Sequence, residues 1–302
     1  MRGIYVATTV AVLACGTALT LPGRAGASDG AIEINQVAAL AGGVTATDSA
    51  GFPVTLDSPG NYVLTGTLTT LVGNVNGIDI TSADVTLDLN GFSLIGPGVA
   101  AFGFFGINGN GNDRTTVKNG NVLGFGWRGI QLAFDCHIDH VVSSDHDDAG
   151  IICNSQAIIQ NSVANKNGTG GISAGARSVV KDNVAYLNGR KLAAAGISAG
   201  VGSVVSGNVS NQNEGIGIDA GGASTVTGNS AEANKMDGIR ALGDSLVTGN
   251  SSVNNNGWGL NLQTSTGYSN NVIRSGFGAP GTVSAGGVNL GHNLCDGNTI
   301  CP

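Results

Sequence analysis

Residues 136–148, CHIDHVVSSDHDD, combine side chains that could do chemistry at unusual density. The stretch holds three of the four histidines of the chain. Histidine transfers protons near neutral pH and carboxylates bind hard cations, so this composition is typical of acid–base pairs and metal sites. Asp139 and His140 are the candidate acid–base pair. Candidate Ca²⁺ ligands, together with carbonyl oxygens of the turn, are Asp145, Asp147 and Asp148.

This stretch lies within a repeat whose units begin with a glycine followed by an apolar residue, most often 21 residues apart. The first glycines of the units are Gly106, Gly129, Gly150, Gly171, Gly196, Gly217, Gly238, Gly259 and Gly287. A unit of this length is too short for a strand plus a crossover helix, which needs about 30 residues. We therefore predict an all-β, parallel β-helix of about ten coils, one coil per unit.

Three columns of the repeat predict how each coil is built. The second position is apolar and the tenth is β-branched, so both should face the interior. The eighteenth position is asparagine, which is expected to occupy left-handed corners and to stack as a ladder. The ladder residues are Asn167, Asn188, Asn213, Asn234 and Asn255. His146 lies at the head of this column and Asp139 aligns with Lys118 one coil earlier, so both also have a structural interpretation as a ladder member and an ion pair.

The two ends of the mature chain are predicted to differ from the coils. Apolar residues at helical spacing make residues 32–44 the best candidate for a helix. We interpret residues 32–50 as a cap over the open end of the solenoid, because a repeat array exposes apolar surface at its ends. The coils are expected at residues 51–290, followed by a tail at residues 291–302.

Four cysteines follow the leader segment, an even number that suggests disulfides in an exported protein. Cys295 and Cys301 enclose a short segment and are expected to clip the C-terminal tail. Cys136 and Cys153 fall at one inner corner of adjacent coils. They are either disulfide-bonded or buried as free thiols.

The N-terminus has the pattern of a secretory signal peptide, with Arg2, an apolar run over residues 4–21, and the cleavage pattern Ala25-Gly26-Ala27. We therefore expect residues 1–27 to be removed and residues 28–302 to form one exported domain, secreted or at the cell surface. This apolar run is short for a membrane span, and no second apolar run follows it. The formal net charge of −7 disfavours nucleic acid as a partner.

An apolar column at the ninth position should lie outside the coil, because it alternates with the inward tenth position. Its members are Ile158, Val179, Val204 and Leu246. Such a stripe is expected either to be covered by residues 264–286 or to form a binding strip. A four-residue insertion near Arg190 and Lys191 is expected to project beside it.

The stretches VTLDLNGFSLIGPG (85–98) and TVKNGNVLGFGWRGI (116–130), with the Gly-Ile coils and asparagine columns, resemble bacterial secreted right-handed parallel β-helix repeat proteins of the pectate-lyase-like superfamily. The resemblance covers nearly all of the mature chain. It implies a right-handed, single-stranded parallel β-helix. The superfamily includes polysaccharide lyases, epimerases, glycosidases and adhesins, so the fold alone does not assign the chemistry.

Residues 138–140, Ile-Asp-His, are similar to the WIDH region of pectate lyases, with His137 in place of the tryptophan. The resemblance implies a Ca²⁺-dependent uronan lyase in which Asp139 and His140 belong to the site and a basic residue takes a proton. The candidate bases by coil geometry are Arg128, Arg177 and Lys181. Because no paired-arginine motif follows, we favour a non-catalytic, glycan-binding or adhesin-like module and keep the lyase as the alternative.

Overall fold

The computed structural model describes residues 30–70, 74–98, 103–284 and 286–301. The predicted signal peptide, residues 1–27, lies outside these residues. The described chain is a parallel β-solenoid of about 11 turns with almost no helix. The predicted all-β parallel β-helix is therefore confirmed, with about one turn more than expected. No helix among the described residues is long and apolar enough to cross a membrane.

Row A, a ten-stranded parallel sheet, forms one face of the solenoid. Its strands are three residues long, and each strand after the first directly follows a glycine. They are Val54–Leu56, Ile78–Ile80, Ile107–Gly109, Ile130–Leu132, Ile151–Cys153, Ile172–Ala174, Ile197–Ala199, Ile218–Ala220, Ile239–Ala241 and Leu260–Leu262.

Rows B and C form the other faces. Two long strands run through both rows and join them into one 21-stranded sheet. These strands are Thr116–Leu123 and His137–Ser144. The other strands of row B are Ile32–Ile34, Gly60–Leu64, Val85–Asp88, Ile158–Gln160, Val179–Lys181, Val204–Ser206, Thr225–Thr227, Leu246–Thr248, Thr266–Ser269 and Gly287–Asn289. The other strands of row C are Leu68–Thr69, Ser93–Ile95, Val163–Asn165, Val184–Tyr186, Val209–Asn211, Ser230–Glu232, Ser251–Asn255, Val272–Ser275 and Leu294–Cys295.

The core is a set of columns, because parallel pairing places equivalent residues of successive coils on top of one another. In row A, Ile151 pairs with Ile172, and Ile172 with Ile197. In row B, Val180 pairs with Val205. All of these side chains are buried, which confirms the inward direction of the second and tenth positions. Their burial removes apolar surface from water at every turn and is the main source of stability.

At the corners, the residue before each stacked asparagine has the left-handed conformation. The angle φ is 56° at Leu187, 52° at Gln212 and 54° at Ala233. The expectation that the asparagines themselves occupy these positions is wrong by one residue. The left-handed residue turns the chain, and the asparagine that follows points inward, where Nδ2 of Asn213 donates to Oδ1 of Asn234 at 3.0 Å.

Both ends differ from the expected boundaries. Residues 32–34 form a strand that pairs with Gly60–Leu64, and the α-helix covers only Gln36–Ala41. The prediction of a helix across residues 32–44 is therefore too long. Asn35 begins the helix by accepting hydrogen bonds from two backbone N–H groups, and Gly42 ends it with a φ of 74°. At the other end, Leu294–Cys295 pairs with row C, so strand pairing continues past residue 290.

The segment 264–286 does not cover the outward apolar stripe. It forms strands of its own, Thr266–Ser269 and Val272–Ser275, which extend rows B and C. Ile158 and Leu246 of the stripe are each 41% exposed. The interpretation of this segment as a cover is therefore wrong, because its residues continue the repeat.

Candidate functional site

His146 lies inside the solenoid at the head of the asparagine column. Its backbone N–H donates to Oδ1 of Asn167 at 3.1 Å. Its Nδ1 accepts the backbone N–H of Phe125 at 3.1 Å, so Nε2 carries the proton and donates to the carbonyl oxygen of Val122 at 3.1 Å. Burial lowers the pKa of His146 to about 3. This ring is therefore neutral at physiological pH and fills the core.

Asp139 and His140 lie at the corner between rows B and C, on the outside. Oδ1 of Asp139 is 2.7 Å from Nδ1 of His140 and accepts from Nδ2 of Asn161 at 2.9 Å. Burial raises the pKa of Asp139, but hydrogen bonds from Asn161, Gln160 and His140 outweigh it and hold the pKa below the ordinary value. A carboxyl group held in its ionised form is a poor proton donor.

The ion pair expected between Asp139 and Lys118 is wrong, although the two residues are in register. Nζ of Lys118 instead lies 3.3 Å from Oδ2 of Asp88, which occupies the same column one coil earlier. The carboxylate of Asp139 is already held by His140 and Asn161, which leaves Lys118 for the coil before.

The candidate bases are not brought together around Asp139. Lys181 is two rungs away in row B, since Asp139 pairs with Gln160 and Gln160 with Lys181. At the strand spacing of about 4.8 Å, that is about 10 Å. Arg177 is exposed at the corner before row B. Arg128 precedes row A, on another face of the coil.

The three candidate Ca²⁺ ligands have separate partners. Asp145 accepts a hydrogen bond from Ser144 at 2.5 Å, and Asp147 pairs with Lys191. Asp148 lies 2.7 Å from Nε of Arg128. Across the part of the chain that the structure describes, no group of three or more His, Cys, Asp or Glu side chains could hold a metal ion.

Both expected cysteine pairs are bonded in the structure. Cys136 and Cys153 have Cα atoms 6.4 Å apart, and Cys295 and Cys301 have Cα atoms 5.4 Å apart. The alternative of free thiols at Cys136 and Cys153 therefore does not hold. One bond ties adjacent coils together and the other clips the C-terminal tail.

A groove of about 510 Å³ lies over the outer surface of row A, and it was not predicted from the sequence. Its floor is the outward column of row A from Ile152 to Arg240. The floor residues are Ile152, Ser173, Ser198, Asp219 and Arg240. The turns that lead into row A form its sides.

An arginine–carboxylate pair stands at each end of the groove. Arg240 grips Asp219 with two hydrogen bonds of 2.7 and 2.6 Å, in the planar fork typical of this pair. At the other end, Arg128 donates Nε to Asp148 at 2.7 Å and Nη1 to Gln131 at 2.6 Å.

Two neighbouring residues also contact the side chains at the Asp148 end of the groove. The hydroxyl of Thr169 donates to Asp148 at 2.6 Å, and Arg128 lies 5.0 Å from the ring centroid of Trp127. Burial raises the pKa of Asp148, but Arg128 and Thr169 outweigh it, so the pKa lies below the ordinary value.

The four-residue insertion contributes to the side of the groove that the turns before row A form. The backbone N–H groups of Lys191 and Leu192 both donate to the carbonyl of Gly168, at 2.7 and 3.1 Å. Ala193 to Ala195 then line the groove. The insertion was expected to project beside row B, and this is wrong: it folds back over the preceding turn and lies beside row A.

The two ends of the groove are too far apart for joint acid–base catalysis on one bond. Successive rungs of the floor carry Ile152, Ser173, Ser198 and Asp219. Asp148 lies in the turn before the first of these rungs, and Asp219 is three rungs, or about 14 Å, further along the solenoid. Glycosidases place their two carboxyl groups at most about 9.5 Å apart. The arrangement therefore suits an extended ligand that is held at both ends.

No protein-family model matches the sequence, and no curated protein sequence matches it. Among solved structures, the Dettilon tailspike protein is similar over 81% of this chain and 56% of its own, with a TM-score of 0.54 and 13% identity. A double mutant of the periplasmic alginate epimerase AlgG is similar over 76% of this chain and 64% of its own, with a TM-score of 0.53 and 16% identity. The chain thus spans less than two thirds of either protein. At these identities the likeness shows the fold alone, and that fold is the parallel β-helix.

Proposed function

We propose that this chain is an extracytoplasmic β-helix protein that binds a glycan in the row A groove without chemically changing it. The groove with an arginine–carboxylate pair at each end carries the proposal. Sugar hydroxyls are both donors and acceptors, and paired carboxylate and guanidinium groups can satisfy both roles. Between the ends, Ser173 and Ser198 offer hydroxyls, while Ile152 and Met236 offer apolar surface for the C–H faces of sugar rings.

Two further observations support a carbohydrate partner outside the cytoplasm. One structural neighbour is by its name an epimerase of alginate, a polysaccharide, and is periplasmic. The two disulfide bonds suit an oxidising compartment. Together with the signal-peptide pattern, they favour export of the mature chain, as a secreted or surface-bound module.

The proposal favours binding over turnover because the groove presents no free acid or base. Asp148 and Asp219 are both held by arginines. The alternative of a Ca²⁺-dependent uronan lyase rests on one observation, the contact of Asp139 with His140 on the outside of the coil. That pair lies on row B, away from the groove.

A steric block tests the proposal. Ser198→Trp places a large ring on the groove floor, and Ser206→Trp places the same ring on row B of the same coil as the control. We expect calorimetric titration with oligosaccharides to show binding by the native protein and the control but not by Ser198→Trp. Equal binding by both variants would place the glycan elsewhere.

A parallel incubation of the native protein with pectate and alginate, with Ca²⁺ or a chelator, tests turnover. We expect no rise in the ultraviolet absorbance that unsaturated sugar ends produce. A Ca²⁺-dependent rise would favour the lyase instead.

A further inference from the structure

We infer that the groove selects neutral oligosaccharides against uronates. This inference rests on the proposed function and concerns the chemical class of the ligand.

The charges of the groove cancel in pairs. Its lining contains four ionisable side chains, Arg128, Asp148, Asp219 and Arg240. Each arginine is bonded to one of the carboxylates at 2.7 Å or less. The lining therefore offers no guanidinium whose charge is left for a ligand carboxylate.

A uronate would enter this groove at a cost. Its carboxylate would lose hydration and lie near Asp148 or Asp219, because the arginines are already paired with them. The net negative charge of the chain adds a long-range repulsion. Polymers of uronic acids would therefore bind only by breaking an existing ion pair.

A neutral sugar meets no such conflict. Arg240 uses Nε and Nη2 to hold Asp219, and its Nη1 is a further donor for a hydroxyl oxygen. Carboxylate oxygens accept from more than one donor, so Asp219 can accept a sugar hydroxyl while it stays paired with Arg240.

A variant that removes the carboxylate bonded to Arg240 tests the selectivity. Neutral oligosaccharides of hexoses or pentoses and oligogalacturonates are titrated calorimetrically into the native protein, Asp219→Asn and the control Asp244→Asn. Asp244 is exposed at a corner outside the groove lining, so the control changes the net charge equally.

We expect the native protein to bind a neutral sugar about tenfold or more tighter than any uronate. Asp219→Asn frees the charge of Arg240, so its uronate affinity should rise about tenfold in low salt, and that of Asp244→Asn much less. Uronates that bind the native protein as tightly as neutral sugars would overturn the inference and leave glycan binding intact. No binding of either class would instead refute the proposed function.

Discussion

The corners of the coil and the groove of row A use the same repeat in opposite ways. At the corners one residue type recurs, and each copy bonds the next: Asn188 to Asn213, and Asn213 to Asn234, at 3.0 Å. On the groove floor the residue changes at almost every rung, from Ile152 through serine to Asp219. Recurrence inside the coil stabilises the stack, whereas variation outside it can recognise a ligand.

A second recurring column strengthens this comparison, and the sequence analysis missed it. The corner before row B carries Ser178, Ser203, Ser224 and Ser245. The backbone N–H of each of the first three donates to the hydroxyl of the next at 3.1 Å. The signal was present, because these serines share one position of the repeat. The column is shorter than that of asparagine, because Cys136 and Ala157 occupy the same position in two earlier coils, and its periodicity was therefore less evident.

The largest predicted effect comes from breaking a ladder. Asn213→Ala removes the acceptor for the backbone N–H of Asn188 and the donor to Asn234 and to the carbonyl of Ala185. Leaving buried polar groups unpaired costs about 1–3 kcal/mol each, so we expect a loss of about 3–5 kcal/mol in the free energy of unfolding. Urea unfolding followed by circular dichroism measures it. The control is Asn211→Ala, because Asn211 lies on the outer surface two residues earlier. Equal losses in the free energy of unfolding for both variants would show that the ladder is not the cause.

Much of the fold could be predicted from the sequence, because each repeat unit predicts the structure of the units beside it. Inward columns, the parallel pairing and the stacked asparagines need only the period and the alternation of a strand. The N-terminal boundary was misjudged because residues 32–34 occur once and satisfy both a helical and a strand pattern. They form a strand because the edge of Gly60–Leu64 is there to pair with them.

The site was less accessible to prediction. Asp219 and Arg240 are 21 residues apart, one coil, so their contact could have been inferred from the period. Part of the groove also depends on how the insertion folds back over Gly168 and brings Ala193 into the lining. Unique segments of a repeat protein have no second copy from which their shape can be judged.

The second prediction concerns the place where the serine column is interrupted. Cys136 and Ala157 stand where later coils carry serine, and the disulfide from Cys136 to Cys153 ties these coils together. Replacing both cysteines with alanine should lower the free energy of unfolding by about 3 kcal/mol, as a closed loop of this length predicts. The loss is measured by urea unfolding with and without reductant. In the variant, reductant can act only on the remaining bond from Cys295 to Cys301, so it should lower the free energy of unfolding less than it does in the native protein. An unchanged midpoint in the variant would show that the coils do not need the bond between Cys136 and Cys153.

The third prediction concerns His146, which stands in place of asparagine at the head of its column. Its folded-state pKa is about 3, below the ordinary value of 6.5. The unfolded chain therefore binds a proton that the folded chain does not, and stability falls as pH drops from 6.5 towards 3, by up to about 1.4 kcal/mol per pH unit.

His146→Asn should flatten this dependence. It should also cost about 1–2 kcal/mol at neutral pH, because the smaller side chain packs less fully against Phe125. Unfolding at pH 6.5 and 5.5, above the range in which carboxylates ordinarily titrate, measures both effects. Parallel pH profiles for the variant and the native protein would show that the buried ring is not the source of acid sensitivity.

The smallest predicted effect is that of Asp139→Ala, which tests the outward column of row B against that of row A. The outward column of row B also varies from rung to rung, through Asp88, Lys118, Asp139 and Gln160. Variation alone therefore does not mark a site. In row B the side chains of this column are held by their neighbours, as Asp88 is by Lys118 and Asp139 by His140.

We expect Asp139→Ala to change the free energy of unfolding by less than about 1 kcal/mol, as for a partly exposed ion pair. Glycan affinity, measured by the same titration, should be unchanged, whereas Asp219→Asn alters it. If Asp139→Ala instead abolished glycan binding or a Ca²⁺-dependent release of unsaturated sugars, the functional face would be row B. A concave surface would then be the wrong criterion for identifying the outward column that binds a ligand.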